Sequence, residues 1–387
     1  EKGPWKTITF TPSYHDHTIF FDDDGRVYII WGGGKLRIAE LKPDLSGIKE
    51  GTERIFIENA SAPSGDNVGL PAEGSQLFKV NGKYYLFNIT WPKGGMRTVV
   101  IHRADHINGP WEGRIALQDK GVAQGGLIDT PDGRWFAYLF RDNGAVGRIP
   151  YLVPVKWEEG WPILGIDGKV PERLELPASK GLIPGIVASD EFTRKKKEAA
   201  LPLVWQWNHN PDNSLWSVSE RKGYLRLKTG RVDADFLSAR NTLTQRTVGP
   251  VCSGTTSVDV SNMKEGDFAG LALLQKKYGF VGVKYENGVK KIVMVSAQTD
   301  KPEEVESLPL NQTVIFLKAE CDFTDLKDIA SFYYSLDGKK WIKIGSQLKM
   351  AYTLPHFMGY RFGLFNYATK AAGGYVDFDY FRISDKK

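Results

Sequence analysis

The sequence has 387 residues, of which 41% are hydrophobic and 25% charged, and its 51 basic and 46 acidic residues leave a net charge of +5. This length favours two domains, and charges spread along the whole chain exclude the concentrated basic surface that nucleic-acid binding requires. No segment reaches the roughly 18 apolar residues of a membrane-spanning helix, and the first residues lack the pattern of a signal peptide.

Three similar hairpins follow one another in the first half of the chain. They read FFDDDGRVYII, FKVNGKYYLF and IDTPDGRWFAYL, and their turn glycines are Gly25, Gly82 and Gly133. An Asp-Gly or Asn-Gly turn between alternating aromatic and aliphatic residues is typical of a β-hairpin. An interval of about 50 to 60 residues, with further strand-like runs between copies, indicates one four-stranded blade of a β-propeller per copy. Three hairpins of an ordinary β-sandwich are the alternative interpretation.

The number of repeats is smaller than a closed propeller needs, which is about four to eight blades. We therefore expect N-terminal blades to be missing from this chain, and a further N-terminal segment of the same protein to complete the ring. The run Asp22-Asp23-Asp24 lies at the first hairpin turn, where we expect solvated turn residues rather than a metal site.

The repeat ends near residue 168, and a segment rich in proline and glycine follows. We place a partial propeller at residues 1–168, a linker at 169–186 and a second domain at 187–387. Short alternating strands separated by turns, over about 200 residues, indicate a two-sheet β-sandwich in this second domain. The whole chain is therefore expected to be all-β. Whether its two cysteines, Cys252 and Cys321, are bridged stays open.

Two acidic residues precede equivalent strands of successive repeats. Asp16 stands in the motif YHDH, and Glu73 stands in the motif PAEGS. In a propeller such positions face the central channel, and two converging carboxyl groups are what glycoside cleavage requires. The alternative is that both acids are bonded to loop amides where their strands begin.

Further candidates lie near the same channel. Gln124 precedes the third hairpin, in a place equivalent to the two acids, and can hold sugar hydroxyls but cannot relay protons. Arg148 offers a guanidinium fork for hydroxyls or a carboxylate, with a surface role as the alternative. Trp31 and Trp91 follow hairpins and offer faces to sugar rings, although packing between blades is the commoner fate of such rings. His15, beside the first acid, is assigned to substrate binding.

These fragments together resemble glycoside hydrolase family 43, the five-bladed propellers that act as β-xylosidases, α-L-arabinofuranosidases and arabinanases. The matching pieces are HDHTIFFDDDGRVYIIWG, LPAEGSQLFKVNGKYYLFNITWP, AQGGLIDTPDGRWFAYLF and GRIPYLVPVKWEEGWPILG. The second half resembles the concanavalin A-like sandwich, a jelly roll that often follows the propeller. It does so at SDEF, WQWNHNPDNSLWSV and RKGYLRLKTG.

The resemblance implies an inverting glycosidase with three catalytic acids. Glu73 takes the place of the general acid, Asp16 that of the acid that modulates and orients it, and Arg148 that of an arginine contacting the substrate. The general base, an Asp of the first blade, has no counterpart in this sequence. Many members carry a histidine that faces a metal ion in the channel where this chain has Gln124, and the glutamine weakens the case for such an ion.

The expected function is hydrolysis of xylose- or arabinose-containing plant polysaccharides or oligosaccharides, and the alternative is a carbohydrate-binding protein without catalysis. The chemistry requires no cofactor. Similar sandwiches sometimes hold a structural cation between acids of the first and last strands. This makes Asp190 and Asp377 candidates for calcium, with solvent-facing acids as the alternative. We expect a carbohydrate partner, no nucleic acid and no membrane. The location is undetermined, with a secreted or periplasmic bacterial protein favoured.

Overall fold

The computed structural model of the chain describes residues 13–176, 182, 185–195, 200–299, 301–353, 356 and 358–386. The chain divides into two units, the first comprising Glu1–Arg141 and Ile149–Leu176 and the second Asp142–Arg148 and Pro177–Lys387. Both units are built from β-strands, which confirms the all-β expectation. Helix in the described part is limited to 3-10 turns at Ala62–Ser64, Gly144–Val146, Phe236–Ser238 and Thr324–Leu326. None of these described helices has the length and apolar character needed to cross a membrane.

Three four-stranded sheets form the described part of the first unit, and in each sheet the strands are neighbours in chain order. The first sheet contains β1 (Thr18–Phe21), β2 (Val27–Gly33), β3 (Lys35–Glu40) and β4 (Arg54–Ile57). The second contains β5 (Val68–Val80), β6 (Lys83–Pro92), β7 (Thr98–Ala104) and β8 (Glu112–Leu117). The third contains β9 (Ala123–Asp129), β10 (Trp135–Asp142), β11 (Arg148–Glu158) and β12 (Trp161–Leu164).

Each repeated hairpin of the sequence forms the first two strands of one sheet. β1 pairs with β2, β5 with β6 and β9 with β10, all antiparallel. The turn glycines Gly25, Gly82 and Gly133 have φ angles of 82°, 78° and 82°, a left-handed conformation that glycine adopts without steric cost. The prediction of one four-stranded sheet per copy is therefore confirmed.

The second sheet is buried on both faces. On β6, Tyr84 and Leu86 join an apolar cluster with the first sheet, whereas Tyr85 and Phe87 join a cluster with the third sheet. Successive side chains of a strand point to opposite faces, so a strand between two sheets needs apolar residues at consecutive positions, which YYLF of β6 supplies. Burying each such side chain contributes about 1.5 to 3 kcal/mol.

The first and third sheets each carry large apolar side chains that are exposed. Six of these side chains are between 38% and 66% exposed: Ile19, Phe21, Ile55, Ile128, Tyr138 and Ile163. They alternate with buried residues of the same strands, as Phe20 does between Ile19 and Phe21. Large apolar surface left in water in this way is typical of a face that another element covers.

Two seven-stranded sheets form the described part of the second unit. In spatial order the first contains β13 (Gln206–Trp207), β16 (Leu243–Arg246), β25 (Arg361–Ala368), β18 (Asp267–Leu274), β19 (Gly279–Glu286), β20 (Val289–Ser296) and β21 (Glu303–Pro309). The second contains β14 (Trp216–Ser217), β15 (Leu225–Lys228), β26 (Tyr375–Ser384), β17 (Val251–Asp259), β22 (Val314–Asp322), β23 (Ile329–Ser335) and β24 (Ile342–Lys349).

The core of this second unit lies between its two sheets. Fully buried residues of both sheets, among them Leu271, Val281, Leu317 and Phe378, form one apolar cluster. Apolar residues that alternate along the strands form the inner faces of the two sheets, as expected for a β-sandwich. The prediction of a C-terminal β-sandwich is therefore confirmed.

The short segment Asp142–Arg148 joins β10 to β11 along the chain but is grouped with the second unit. The backbone N–H of Ala145 donates to Asp328 Oδ2 at 3.1 Å, and the Tyr360 N–H donates to the Ala145 carbonyl at 2.9 Å. At Gly147, whose φ is 93°, an added Cβ would overlap the backbone of Gly359. Hydrogen bonds and close glycine packing therefore fix this segment.

Cys252 and Cys321 lie directly opposite each other on the paired strands β17 and β22. Both are buried and both thiols are free. Burial, with the neighbouring Cys252, raises the pKa of the Cys321 thiol, so it stays protonated and unreactive at neutral pH.

Candidate active site

Asp16 and Glu73 occupy irregular backbone in neighbouring sheets. Asp16 lies just before β1 with a φ of 46°, a left-handed conformation that is uncommon outside glycine. Glu73 lies within β5, which begins earlier than the sequence predicts, and the pairing of β5 with β6 shifts register on both sides of Glu73. Such bulges bend a strand and re-aim its side chains.

The two acids and His15 form one cluster. His15 Nε2 lies 2.9 Å from Glu73 Oε2 and 4.0 Å from Asp16 Oδ2. One polar atom from each of the three side chains falls within 4.8 Å of the others. The side chains are 64% exposed for His15, 34% for Asp16 and 22% for Glu73. The structure therefore brings together three residues that the sequence assigned to one site, and it leaves them open to solvent.

The charge of His15 depends on this cluster. Its hydrogen bond with Glu73 raises the pKa of His15 above the ordinary value, partial burial opposes this, and the negative charge of Asp16 adds to the increase. The imidazole therefore holds its proton to a higher pH than an isolated histidine does, and can donate it to a carboxylate.

The turn between β2 and β3 holds the backbones of both acidic segments. The Gly32 N–H donates to the His15 carbonyl at 3.0 Å, and the Gly34 N–H donates to the Ala72 carbonyl at 2.8 Å. One turn thus fixes the residue before Asp16 and the residue before Glu73. The turn between β2 and β3 therefore sets the distance between the two acids.

Asn88 is a residue of the site that the sequence interpretation missed. It is buried in β6, and its Nδ2 donates to the Glu73 carbonyl at 3.2 Å and to Ser75 Oγ at 3.0 Å. The amide thus binds the backbone of Glu73 and the side chain of Ser75, on either side of Gly74. The sequence does contain a signal for this residue, since an amide side chain stands inside the apolar run YYLFNI. A polar side chain that is buried with such a run needs hydrogen-bond partners close by.

Gln124 packs next to the acid cluster, as its place before the third hairpin predicts. It has a φ of 55°, and a Cβ at Gly74 would overlap its side-chain amide. Gly74 itself has a φ of 64°. A glycine beside Glu73 therefore serves both the backbone conformation and the approach of Gln124.

Trp91 and Trp31 form contacts outside the cluster. Trp91 is partly exposed at the end of β6, where its Nε1 donates to the Gly95 carbonyl at 3.0 Å and the Arg97 guanidinium lies 5.4 Å from the ring centre. Trp31 is buried against Tyr14, which contradicts a sugar-stacking role.

Arg148 belongs to the segment grouped with the second unit. Its Nε donates to Asp142 Oδ1 at 3.2 Å, and its side chain is partly buried. The guanidinium is therefore held by a carboxylate of its own segment, and its role toward a substrate stays a prediction.

Asp22 is buried, so the expectation of a wholly solvated Asp22-Asp23-Asp24 turn is wrong for its first residue. Its carboxylate accepts hydrogen bonds from Lys79 Nζ and Tyr84 Oη, both at 2.7 Å. Burial alone would raise the pKa of Asp22, but the bonds from Lys79, Tyr84 and the Asp23 backbone bring it below its ordinary value. Asp22 therefore links the first sheet to the second as a carboxylate.

The structure does not bring Asp190 and Asp377 together as a calcium site. The backbone of Asp190 pairs with Phe381, while Asp377 stands four positions earlier on β26, about 13 Å away along the strand. Arg194 binds both oxygens of Asp190, at 2.8 and 2.7 Å, and Arg226 binds both oxygens of Asp377, at 2.8 and 2.9 Å. Guanidinium groups neutralise each carboxylate, so these residues do not fit a shared cation.

His15, Asp16 and Glu73 are the described residues with the spacing of a metal cluster. A cation held by all three would occupy the Glu73 carboxylate, which then could not carry a proton. Metal binding and proton donation by Glu73 therefore exclude each other at this site.

Comparison with known proteins places both halves of the chain. Residues 1–162 match the model for glycosyl hydrolases family 43 (GH43), and residues 189–384 match the model for the β-xylosidase C-terminal concanavalin A-like domain. A β-xylosidase of Formosa agariphila is 29% identical over 98% of this chain and 72% of its own length.

Two solved structures extend the comparison. A bifunctional GH43-CE protein of Bacteroides eggerthii is 70% identical, with a TM-score of 0.97 over 100% of this chain and 50% of its own. A GH43 enzyme, engineered at its active site to display endo-xylanase and exo-arabinofuranosidase activity, is 30% identical, with a TM-score of 0.79 over 96% of this chain and 74% of its own. The chain thus spans half the length of one similar protein and about three quarters of the others.

Proposed function

Because the chain belongs to glycosyl hydrolase family 43, we propose that it provides the acid catalyst of a glycosidase acting on xylose- or arabinose-containing plant polysaccharides or oligosaccharides. The activities named for the similar proteins, β-xylosidase and exo-arabinofuranosidase, support these two sugars. The observation that carries the proposal is the open cluster of Asp16, Glu73 and His15, since glycoside cleavage needs a carboxyl group that reaches solvent and exchanges its proton.

Glu73 acts as the general acid, protonating the glycosidic oxygen as the bond to the sugar breaks. Asp16 lies within 4.8 Å of it, whereas an acid and a base that activate water from opposite faces of a sugar are about 6.5 to 9.5 Å apart. Asp16 is therefore too close to serve as the base, and it modulates and orients Glu73 instead. Gln124 and Arg148 hold sugar hydroxyls, and Trp91 offers a stacking face. No cofactor takes part in the proton transfer.

The general base comes from a further N-terminal segment of the same protein, which completes a five-bladed ring. The exposed apolar side chains of the first and third sheets support this arrangement. Blades packed against them would bury Phe21 and Tyr138 and place a carboxylate across the channel from Glu73. Inversion of the anomeric centre follows if that carboxylate activates the water.

Replacing Glu73 by glutamine tests the acid role in the protein extended by this N-terminal segment. We expect kcat/KM to fall about a thousandfold on xylobiose, whose leaving group needs a proton. The loss should be at least tenfold smaller on a dinitrophenyl xyloside, whose leaving group departs without one. Glu58→Gln, at an exposed carboxylate paired with Lys35, is the matched control and should retain activity. Equal losses on the two substrates would contradict proton donation by Glu73.

A carbohydrate-binding protein without catalysis is the second candidate, and the engagement of Glu73 by His15 is the observation that favours it. Calorimetric titration with xylan and arabinan oligosaccharides, beside an assay for new reducing ends, separates the two candidates. Binding without product by the extended protein would support the binding protein.

A further inference from the structure

The second unit contains a polar cavity of about 210 Å³. Its walls come from the end of β15 and the turn after it, from β25, and from two segments at 212–215 and 240–241. None of these residues belongs to the cluster around Glu73. The cavity is therefore a separate feature of the sandwich and calls for its own explanation.

Buried polar side chains form much of the cavity lining: Thr229, Asp233, Asn241, Asn366 and Tyr367. A buried polar group is costly unless it has a hydrogen-bond partner. Asn366 Nδ2 donates to the Leu227 carbonyl at 2.9 Å, but its Oδ1 has no partner among the described residues. Asp233 Oδ1 accepts a bond from Arg231 Nε at 2.8 Å, and burial raises the pKa of this carboxyl. The carboxyl group of Asp233 thus keeps capacity to accept a further hydrogen bond.

Arg240 supplies hydrogen-bond donors to the same cavity. The other two cations of the lining are neutralised, Lys228 by Glu220 at 2.6 Å and Arg231 by Asp233. Arg240 is exposed, its Nε donates to the Asn210 carbonyl at 2.8 Å, and no carboxylate of the described residues forms an ion pair with it. Its guanidinium therefore keeps donors for a ligand.

We propose that this cavity binds one neutral sugar residue, as a second carbohydrate site of the protein. Each sugar hydroxyl both donates and accepts hydrogen bonds, and the cavity offers Asp233 as an acceptor and Arg240 as a donor. Its volume of about 210 Å³ suits a single ring rather than an oligosaccharide. The lining contains three basic residues, Lys228, Arg231 and Arg240, and two acidic residues, Asp212 and Asp233. Because Glu220 also forms an ion pair with Lys228, no excess of positive charge remains to attract an anion.

The choice of xylose or arabinose as this sugar rests on the proposed function. A ligand of this size binds with a Kd of about 1 mM or weaker. Such a site has little effect alone. On a polymer that reaches both sites, it raises the local concentration of the polysaccharide at the catalytic centre and so adds to the binding there. The site therefore changes retention on polysaccharide and leaves the turnover of small substrates as it is.

Calorimetric titration of the Glu73→Gln protein, in which turnover is blocked, tests the site with xylotriose and arabinotriose as probes. We expect Arg240→Ala to weaken binding at least fivefold for one of the two sugars, and Asp233→Asn to weaken it similarly. Arg246→Ala is the matched control, because Arg246 is an exposed arginine of β16 that does not line the cavity. Its binding should equal that of the parent.

Three results would overturn the inference. One is unchanged binding in Arg240→Ala, an exposed position where substitution leaves the core intact. Another is an equal loss in Arg246→Ala. The third is glucuronate or inorganic phosphate binding tenfold more tightly than the neutral sugars, which would make the cavity an anion site.

Failure of the proposed function gives a different pattern. With Glu73 present, Arg240→Ala should keep kcat/KM on an aryl xyloside within twofold of the parent and lose retention on soluble xylan. Sugar binding that depends on Arg240, in a protein that hydrolyses nothing, would refute the glycosidase and leave the second site standing.

Discussion

Asp22 and Glu73 are two carboxylates of the first unit with opposite surroundings. The Asp22 side chain is 1% exposed and accepts bonds from Lys79, Tyr84 and the Asp23 backbone N–H. Glu73 reaches solvent and is bonded through its side chain to the exposed His15. Both acids lie in the first two sheets, so the fold alone does not decide which becomes reactive.

The difference teaches that hydrogen-bond saturation separates a structural acid from a chemical one. An acid whose oxygens are all bonded inside the protein is stabilised as a carboxylate and resists a change of protonation. An acid that is open to solvent and held by one exposed partner can take up and release a proton during turnover. Substitutions at the two places should therefore act on different properties.

The largest effect expected is on stability, at Asp22. Asp22→Asn should lower the free energy of unfolding by about 3 kcal/mol, because it removes the negative charge of a buried ion pair and puts an amide NH2 where one of two bonded carboxylate oxygens stood. Chemical denaturation monitored by tryptophan fluorescence measures this loss. Asp24→Asn, at an exposed carboxylate paired with Arg26, should leave the free energy of unfolding nearly unchanged. If Asp22→Asn and Asp24→Asn were equally stable, the buried hydrogen bonds of Asp22 would not set it apart from an exposed acid such as Glu73.

His102 extends the comparison to a buried group with an unpaired ring nitrogen. It lies on β7, its Nδ1 has no hydrogen-bond partner among the described residues, and burial lowers its pKa to about 4. Above pH 6.5 both the folded and unfolded states hold it neutral. As the pH falls from 6.5 toward 4 the unfolded chain takes up a proton that the folded chain refuses, so stability should drop by about 3 kcal/mol.

Replacing His102 by glutamine checks this expectation. Denaturation at a series of pH values should show a flatter acid limb in His102→Gln than in the parent, whatever the stability of the variant at pH 7. His106→Gln, at an exposed histidine that follows β7, should keep the parent's slope. An unchanged slope in His102→Gln would show that carboxyl groups alone set the acid sensitivity.

Local sequence signals predicted much of the fold. The Asp-Gly and Asn-Gly turns fixed the three hairpins, because their glycines adopt a left-handed conformation at little cost. Alternating short strands after Asp190 predicted the sandwich. The bulges around Glu73 escaped prediction, since they depend on how β5 pairs with β6 rather than on residues next to Glu73.

Contacts between distant residues explain the errors at individual sites. The partners of Asp22 lie 57 and 62 residues further along the chain, so its sequence neighbours suggested a solvated turn. Arg226, which binds the carboxylate of Asp377, lies 151 residues away from it in the sequence. No local sequence pattern reveals that pairing. The cluster of Asp16 and Glu73 was predictable because both precede equivalent hairpins of one repeat.

The smallest effect expected is at His15. Glu73→Gln replaces the carboxylate whose hydrogen bond raises the pKa of His15. The pKa of His15, followed by NMR titration of its imidazole, should therefore move down in this variant, because a neutral amide favours the imidazolium less than a carboxylate does. Glu58→Gln, at an exposed carboxylate paired with Lys35, serves as control. A His15 pKa that does not move, or that moves equally in both variants, would rule out this coupling.

The segment Asp142–Arg148 has a consequence for how such proteins evolve. Along the chain it belongs to the third sheet, yet Ala145 is bonded to Asp328 and Tyr360 of the sandwich. A gene rearrangement that exchanged the sandwich for an unrelated module would remove both partners and release the residues around Arg148. Selection should therefore transmit the two halves as a pair, and lineages that replaced the second half should carry a redesigned loop between β10 and β11.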